Sequence, residues 1–537
     1  MKANKNRTRV ITGATTAILG MALIGLISCS SGDSTSSTVA PGGSAGLSGP
    51  MVFVNNTGDK TLTSVALKGD SGNTVVGRID AAEFENVALG DMQFSAGEWV
   101  FVNITGEISP GVRISKVAAI DPLTGAVPIH RVNLGTGTRP VHIYRDTTDG
   151  EIIWSMNDGD NAALTLTPGD DLINCALPTG GSVTILHNSH LGPGTNPPTV
   201  EGTVCILADG HKVSAFSSGA GVPRRVFVSS TTAGEIAVID NEPANVGTYQ
   251  KLIGRIDLCT DAGEVLNGQP ICDVNANVAN TPNTPNKSNP QGIRFSKLTG
   301  KVYSIQEGYR TIVEVDPTTL GITNTFDLST TPYTAFGITP NGRFLLLRGD
   351  TTPIPTGTKL GVIDLGTAGN PQTDFTIPEL NGTSTGSFKF SPDGKRFYIL
   401  AGNAATTTKK DRLFAFDAST LAATPPALTL IREILLIAGG DSVGFNAAHN
   451  IDVLVQGAGE ATYIAVSNRA DNSVSIINAT DNLIKQTVPV GPLPGAVLLY
   501  SPGAAAAGNQ ATASVTSGGA TASSPLPERL DDHGMPE

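Results

Sequence analysis

One short pattern recurs along most of the chain and limits what the chain can fold into. An apolar strand leads into a turn that contains glycine, and a second strand of alternating Val, Ile, Phe or Tyr follows. A polar loop and a third strand, which often ends in Ile-Asp, complete the unit. The fullest copy is FKFSPDGKRFYIL (388 to 400) with RLFAFDA (412 to 418). Because no helical period competes with this alternation, we expect an all-β protein.

The composition agrees with many short strands. Only 15% of the 537 residues are charged, whereas Gly (62) and Pro (34) are plentiful, and long surface helices need more Lys and Glu than this. The formal net charge is -12, and such a field repels phosphate backbones. No Lys/Arg-rich stripe reverses it locally, so we expect no nucleic-acid partner.

The spacing of the copies matches the four-stranded blade of a single β-propeller. We expect seven of the blades to begin near residues 88, 139, 209, 290, 333, 383 and 440. Residues 52 to 79 supply second, third and fourth strands without a first, and LPGAVLLY (493 to 500) is a lone first strand. The two ends would therefore share one more blade and close the ring. Eight blades are favoured, and long insertions between 139 and 289 leave seven as the alternative.

Two stretches resemble known propeller repeats. YIAVSNRADNSVSIINATDNLIKQTVPVGPLPGAV (463 to 497) resembles the YVTN-type repeat. FSPDGKRFYIL (390 to 400) resembles the Ser-Pro-Asp-Gly turn shared by that family, by lactonase-like propellers and by the haem-d1 domain of cytochrome cd1 nitrite reductases. The resemblance covers most of residues 51 to 500 and implies the fold. It implies little about function, because the matching residues are turn and strand positions.

The first residues indicate export. A basic MKANKNRTR precedes the uncharged, apolar VITGATTAILGMALIGLI, which is typical of a signal peptide. Leu26-Ile27-Ser28-Cys29 resembles the bacterial lipobox, which implies acylation of Cys29, and Ser30 after it implies the outer membrane. An ordinary signal peptide or a single membrane anchor is the alternative. We expect a lipid-anchored protein at the cell envelope, on its periplasmic or its surface face.

These observations divide the chain into four segments. Residues 1–28 are the lipoprotein signal peptide, and 29–50 are a flexible Ser/Gly tether. Residues 51–502 form the propeller. Residues 503–537 are poor in core residues and are expected to be a disordered low-complexity tail.

The cysteines fit an exported protein. Apart from Cys29 there are four, and an even number predicts disulfides in an oxidising compartment. Neighbourhood in sequence favours Cys175 with Cys205 and Cys259 with Cys272, although four cysteines allow three connectivities. No C-x-x-C-H is present, so covalent attachment of c-type haem is not supported.

Several histidines are candidates for a site in the channel that a propeller's first strands line. Five of the seven fall in or just before proposed first strands: His142, His187, His190, His211 and His449. Imidazole binds transition metals and haem iron, so these residues could hold copper, zinc or haem. Histidines that only make hydrogen bonds in the channel are the alternative.

Other polar residues near the channel could form a ligand site or have a structural role. Asp158 and Asp160 in NDGDN offer oxygen ligands for Ca²⁺, but the same residues favour a turn and lack EF-hand spacing. Four arginines are candidates for an anion site near a channel mouth, with paired or surface arginines as the alternative: Arg139, Arg145, Arg224 and Arg225.

No local motif predicts catalysis, since neither G-x-S-x-G nor a P-loop occurs. We therefore predict a binding module at the cell envelope that takes a protein or small-molecule ligand at the channel mouth, with no cofactor assigned. The first alternative is a periplasmic redox enzyme that depends on a transition metal or haem, with His142, His211 and His449 as ligands. A lactonase-like hydrolase is the second alternative. Whether the chain is an enzyme stays open.

Overall fold

The computed structural model describes most of the region predicted to be the propeller. The described residues are 50–95, 99–109, 112–121, 130–134, 139–159, 181–187, 198–206, 212–259, 265–266, 269–270, 286–330, 333–349, 360–381, 383–402, 411–436, 448–455 and 461–501. The predicted signal peptide, nearly all of the tether and the C-terminal tail lie outside these residues. Among the described residues, no helix has the length and apolar character of a membrane span.

The described residues form thirty-four strands and three short 3-10 helices. Blades 1 to 4 contain β4 (Ala88–Phe94), β5 (Val100–Ser109), β6 (Val112–Ile120), β7 (His130–Asn133); β8 (Pro140–Arg145), β9 (Ile152–Asn157), β10 (Gly181–His187), β11 (Thr199–Ile206); β12 (Lys212–Gly219), β13 (Val222–Ser230), β14 (Glu235–Asp240), β15 (Leu252–Asp257); and β18 (Pro290–Ser296), β19 (Lys301–Gln306), β20 (Thr311–Val315), β21 (Ile322–Asp327).

Blades 5 to 7 contain β22 (Tyr333–Ile338), β23 (Phe344–Gly349), β24 (Leu360–Asp364), β25 (Gln372–Phe375); β26 (Ser384–Phe390), β27 (Arg396–Gly402), β28 (Arg412–Asp417), β29 (Thr429–Leu435); and β30 (Ala448–Val455), β31 (Ala461–Asn468), β32 (Ser473–Asn478), β33 (Leu483–Pro489). The closing blade contains β1 (Met51–Asn56), β2 (Thr61–Ala66), β3 (Thr74–Ile79) and β34 (Pro494–Tyr500). A small hairpin of β16 (Val265–Leu266) and β17 (Gln269–Pro270), and 3-10 turns at Ala81–Phe84, Pro378–Leu380 and Ser419–Ala422, lie between them.

Both ends of the folded region build the closing blade. Its strand order is β3-β2-β1-β34, with Met51 opposite Tyr500 and Val54 opposite Val497. The protein is therefore an eight-bladed β-propeller closed by strands from its two ends, as the sequence predicts. The other seven blades begin at Ala88, Pro140, Lys212, Pro290, Tyr333, Ser384 and Ala448. The largest difference from the predicted starts is at the last, which was expected near 440.

The turn between the first and second strands explains the Ser-Pro-Asp-Gly signature. Gly300, Gly342 and Gly394 occupy the same place in blades 4, 5 and 6, with φ of 67°, 75° and 71°. This left-handed region costs side chains with a Cβ about 1–2 kcal/mol, so glycine marks each turn. In blade 6 the Gly394 N–H donates to the Ser391 carbonyl at 2.8 Å.

A buried asparagine joins the second and third strands in three blades. The Nδ2 of Asn468 donates to Ser473 Oγ at 3.0 Å and to Ser475 Oγ at 2.8 Å. Asn56 binds Thr61 and Thr63 in the same way, and Asn157 binds Ser182 and Thr184. Because a buried amide must find partners, the Asn at the end of strand two and the paired hydroxyls of strand three occur together in the sequence.

A different interaction explains why third strands often end in Ile-Asp. Asp364 accepts two hydrogen bonds, at 2.9 and 2.8 Å, from Arg343, which directly precedes the second strand. Its Oδ1 also accepts the Gly366 N–H at 2.9 Å. Lys301 with Asp316 repeats this pairing in blade 4. Each aspartate thus caps its turn and fastens it to the adjacent strand.

The core lies between neighbouring sheets. The largest cluster joins blades 4, 5 and 6 and includes Phe336, Phe388 and Phe397, all at most 2% exposed. Fully burying a side chain of this size contributes about 1.5–3 kcal/mol. A Cβ at Gly337 would lie 2.5 Å from the Phe388 ring, so glycine is required for the first strands of blades 5 and 6 to approach this closely.

Candidate functional site

The first strands of the blades form the wall of the central channel. They are edge strands of their sheets, and first strands of neighbouring blades contact each other around the ring. We call the end of the channel where the first strands begin the upper mouth and the end where they finish the lower mouth. Phe94, Arg145 and Tyr500 are the last residues of three first strands and lie at the lower mouth.

The channel wall between blades 1 and 2 contains a buried acid and a buried histidine. The Nδ1 of His142 lies 3.3 Å from Oδ2 of Asp91, and each side chain is 2% exposed. The strand register shifts beside both residues, between Leu89 and Met92 and between Pro140 and His142. Such bulges redirect side chains, and here they bring together groups from two blades. A carboxylate that accepts an imidazole N–H fixes the orientation of the ring.

The other candidate histidines do not join this pair among the described residues. His449 belongs to a first strand, β30, as predicted, but the structure does not describe its side chain. His190 and His211 lie outside the described residues. The predicted position of His187 is wrong: it ends β10, the third strand of blade 2. There its Nε2 lies 3.8 Å from Oε2 of Glu151. The Gly/Pro-rich segment after His187 resembles an approach to a first strand, but a third strand precedes it.

The acidic loop after β9 is tied to the start of β8. The Asp158 N–H donates to the Arg139 carbonyl at 3.0 Å, and Asp158 is 5% exposed. This backbone bond links the loop between the second and third strands to the residue before the first strand. Asp160 lies outside the described residues.

The arginines named from the sequence have different surroundings. Arg225 donates through Nη1 to the Pro317 carbonyl, and Arg224 Nη1 lies 4.0 Å from Glu242. Both contacts are structural. Arg145 differs, because its guanidinium carbon lies 4.9 Å from the centre of the Phe94 ring and no carboxylate pairs with it in the described part of the chain.

Two residues of this region were missed by sequence reasoning. Asp91 lies in the first strand of blade 1, in ALGDMQF, where an acid interrupts an otherwise apolar strand. That interruption is a usable signal. Phe94 gave no such signal, because an aromatic residue at a strand end is ordinary core material.

The described cysteines lie on different blades. Cys205 is buried near the end of β11 in blade 2, and Cys259 follows β15 in blade 3. The Tyr309 hydroxyl donates to Cys259 Sγ at 3.6 Å. Cys29, Cys175 and Cys272 lie outside the described residues, so the predicted pairing remains a prediction.

A metal site is found nowhere within the described ranges. There, no three His, Cys, Asp or Glu side chains are close enough together to hold an ion. The histidine ligands predicted for copper, zinc or haem include side chains beyond these ranges, so that hypothesis remains open.

Comparison with known proteins supports the fold alone. No protein-family model and no curated protein matches the chain. Among solved structures it is similar to the dihydro-heme d1 dehydrogenase NirN in complex with DHE, with 14% identity, 83% of this chain and 74% of that chain covered, and a TM-score of 0.50. The periplasmic gluconolactonase PpgL of Pseudomonas aeruginosa matches with 13% identity, 84% and 99% coverage, and a TM-score of 0.43.

A third similar structure is apo AztD from Citrobacter koseri, with 12% identity, 84% and 98% coverage, and a TM-score of 0.44. The solved neighbours thus include a d1-type protein and a lactonase, as the resemblance of the repeats implies. The likeness to NirN is a likeness of fold and defines a β-propeller, not an activity.

Proposed function

We propose that this chain is an exported lipoprotein whose propeller binds a ligand or a partner protein in its central channel at the cell envelope. The observation that carries the binding role is the placement of Asp91, His142 and Arg145 on two adjacent first strands. Buried ionisable groups cost stability unless they are paired, and the buried Nη1 of Arg145 has no hydrogen-bond partner. Clustered ionisable groups in a concave wall are typical of binding sites.

The proposed anchor fits the way the chain enters the ring. The tether from Cys29 would join the propeller at Met51, which pairs with Tyr500 at the lower mouth. A flexible linker of this length has a root-mean-square span of roughly 25 Å.

Location is tested by fractionating cells that make the wild-type protein or Cys29→Ala. We expect the wild-type protein in the membrane fraction, labelled by radioactive palmitate, and the variant unlabelled and released. Ser30→Ala serves as the control, since it keeps the acylated cysteine. Equal membrane association of Cys29→Ala and wild type would contradict the lipid anchor.

Binding without a cofactor is tested on natively purified protein. Metal analysis and a visible absorption spectrum should show neither stoichiometric metal nor a haem band, and partner capture should fall in His142→Leu and Asp91→Asn. Arg131→Met, on the fourth strand of blade 1, is the control. Stoichiometric copper or haem in the wild-type protein would contradict this form of the proposal.

A second candidate is a haem-dependent or metal-dependent periplasmic redox enzyme. It is favoured by the contact of Asp91 with His142, because a ligating histidine usually donates its other ring N–H to a carboxylate. Asp91 would orient His142 in that role. Haem or a redox metal would supply electron transfer when bound. The same spectrum separates the two candidates.

Disulfides form part of the proposal for an oxidising compartment. The even number of cysteines that remains after Cys29 supports pairing in such a compartment. We propose Cys175 with Cys205 and Cys259 with Cys272. Peptide mapping without reduction tests the connectivity, and a cross-linked peptide containing Cys205 with Cys272 would contradict it.

A further inference from the structure

Arg145 stands at the meeting point of three first strands. It ends β8, and its guanidinium carbon lies over the ring of Phe94, the last residue of β4, at 4.9 Å. The Phe94 ring meets Tyr500, the last residue of β34, edge to face at 6.0 Å. One cation and two aromatic rings from blades 1 and 2 and the closing blade therefore share the lower mouth.

The adjacent acid offsets this cation only in part. Asp146 directly follows Arg145, but its Oδ2 accepts hydrogen bonds from Trp154 at 3.1 Å and from Asn241 at 2.7 Å. Its Oδ1 accepts two more from Thr148, both at 2.7 Å. The carboxylate is thus committed to its own turn and to blade 3.

The guanidinium itself has unused hydrogen-bonding capacity. Arg145 Nη1 is buried and has no hydrogen-bond partner. Burial lowers the pKa of Arg145 to about 10, and the nearby Asp146 offsets this only in part. A buried N–H group without a hydrogen-bond acceptor is costly, and the contact with the Phe94 ring does not satisfy it.

We propose that Arg145 is the binding residue for the carboxylate of a small organic acid that carries an apolar or aromatic body. The planar fork of a guanidinium matches a carboxylate through two parallel hydrogen bonds. A single arginine beside Asp146 favours a single negative charge over a phosphate dianion. Phe94, which is partly exposed, supplies apolar surface for the rest of the ligand, and the buried Tyr500 packs against its ring. This inference deepens the proposed binding function and rests on it.

Titration of the purified full-length protein with benzoate, followed by calorimetry at low chloride, tests the inference. We expect saturable binding by the wild-type protein and a dissociation constant at least about tenfold weaker for Arg145→Met, because the charge-assisted fork is lost. Arg131→Met removes the same charge from an exposed ion pair with Glu83 and should bind as the wild type does. Arg145→Lys keeps the charge without the fork and should bind more weakly than the wild type.

Three results would overturn the inference: no saturable binding below about 10 mM benzoate, equal affinity in Arg145→Met and wild type, or tighter binding of inorganic phosphate than of benzoate. Circular dichroism confirms that each variant is folded, and Arg145→Lys carries the comparison if Arg145→Met is not. The titration uses purified protein, so its result does not depend on where the protein is located in the cell. A protein that is lipid-anchored but ignores benzoate loses only this inference, whereas one that binds benzoate through Arg145 without an anchor loses only the location.

Discussion

The Nδ1 of His142 lies 3.3 Å from Oδ2 of Asp91 across the boundary between two blades. The residues are 51 positions apart in the chain, and both side chains are buried. The contact therefore joins the first strands of blades 1 and 2 at the channel wall, where an error in either register would separate the partners. It is a structural link and also the best-defined ionisable pair of the candidate site.

His142→Leu should destabilise the protein by about 1–3 kcal/mol, because it leaves the Asp91 carboxylate buried without its imidazole donor. Asp91→Asn should cost less, since an amide oxygen still accepts a hydrogen bond. Urea unfolding of both single variants and of the double variant gives the coupling energy. Strictly additive costs would mean that the two side chains do not stabilise each other.

In the ligand-free protein, Arg145→Met is expected to raise the free energy of unfolding, whereas His142→Leu lowers it. Burial lowers the pKa of Arg145 to about 10, so the folded protein binds this proton less tightly than the unfolded chain does. The resulting loss of stability is complete below about pH 10 and decreases as the pH rises above it. A shift of this size corresponds to at most about 3 kcal/mol, and the lost contact with Phe94 reduces the gain.

We therefore expect Arg145→Met to gain about 1 kcal/mol at pH 7 by urea unfolding. Arg131→Met, which breaks an exposed ion pair, should change stability by less than about 0.5 kcal/mol. A loss of stability in Arg145→Met would indicate that the guanidinium contributes to packing, and would weaken the case for a residue kept for binding.

The strands and their order could be predicted because each depends on residues close together in the sequence. Gly394 lies at the left-handed position of its turn, and the Ser-Pro-Asp-Gly motif that contains it fixes the pairing of β26 with β27. Asn468 and its two serine partners lie within seven residues. The closing blade also followed from local patterns, because its missing first strand and the surplus strand before residue 501 are both visible.

The site could be predicted only in part, because its contacts join different blades. His142 was identified as a channel residue from its own strand, but its partner Asp91 depends on bulges in two strands. Arg145 was one of four candidate arginines, and only the contacts of its neighbours distinguish it. His187 was misplaced because an apolar run ending in histidine looks the same in a third strand as before a first strand.

Acid should weaken the turn that contains Asp316. A hydrogen bond from Lys301, and backbone N–H groups of Thr318 and Thr319, lower the pKa of Asp316 to about 2. A folded-state pKa below the unfolded value of about 3.9 gives stability that is complete above about pH 5 and is lost as the pH falls towards 2. Because the pair is partly exposed, we expect less than about 1 kcal/mol at neutral pH.

Urea unfolding of wild type and Asp316→Asn at pH 6 and at pH 2.5 measures this contribution. The stability difference between the two proteins should shrink at the lower pH. Lys301→Met removes the principal cause of the pKa shift and should reproduce part of the effect. A difference that stays constant between the two pH values would contradict the assigned cause.

Closure of the ring by β34 should make that strand critical for the whole propeller. Leu498 is 1% exposed and packs in the cluster between the closing blade and blade 1. Leu498→Ala should cost about 2–5 kcal/mol, since it leaves a cavity at the joint between the two ends of the folded chain. Leu483 lies on the fourth strand of blade 7 and is 43% exposed, so Leu483→Ala is the matched control and should cost less than about 0.5 kcal/mol.

The closed ring should also keep unfolding cooperative, because each sheet packs on its neighbours. Leu498→Ala should therefore unfold in a single transition, at a lower urea concentration than the wild type. A separate early transition confined to the closing blade would show that the ring tolerates opening at this joint.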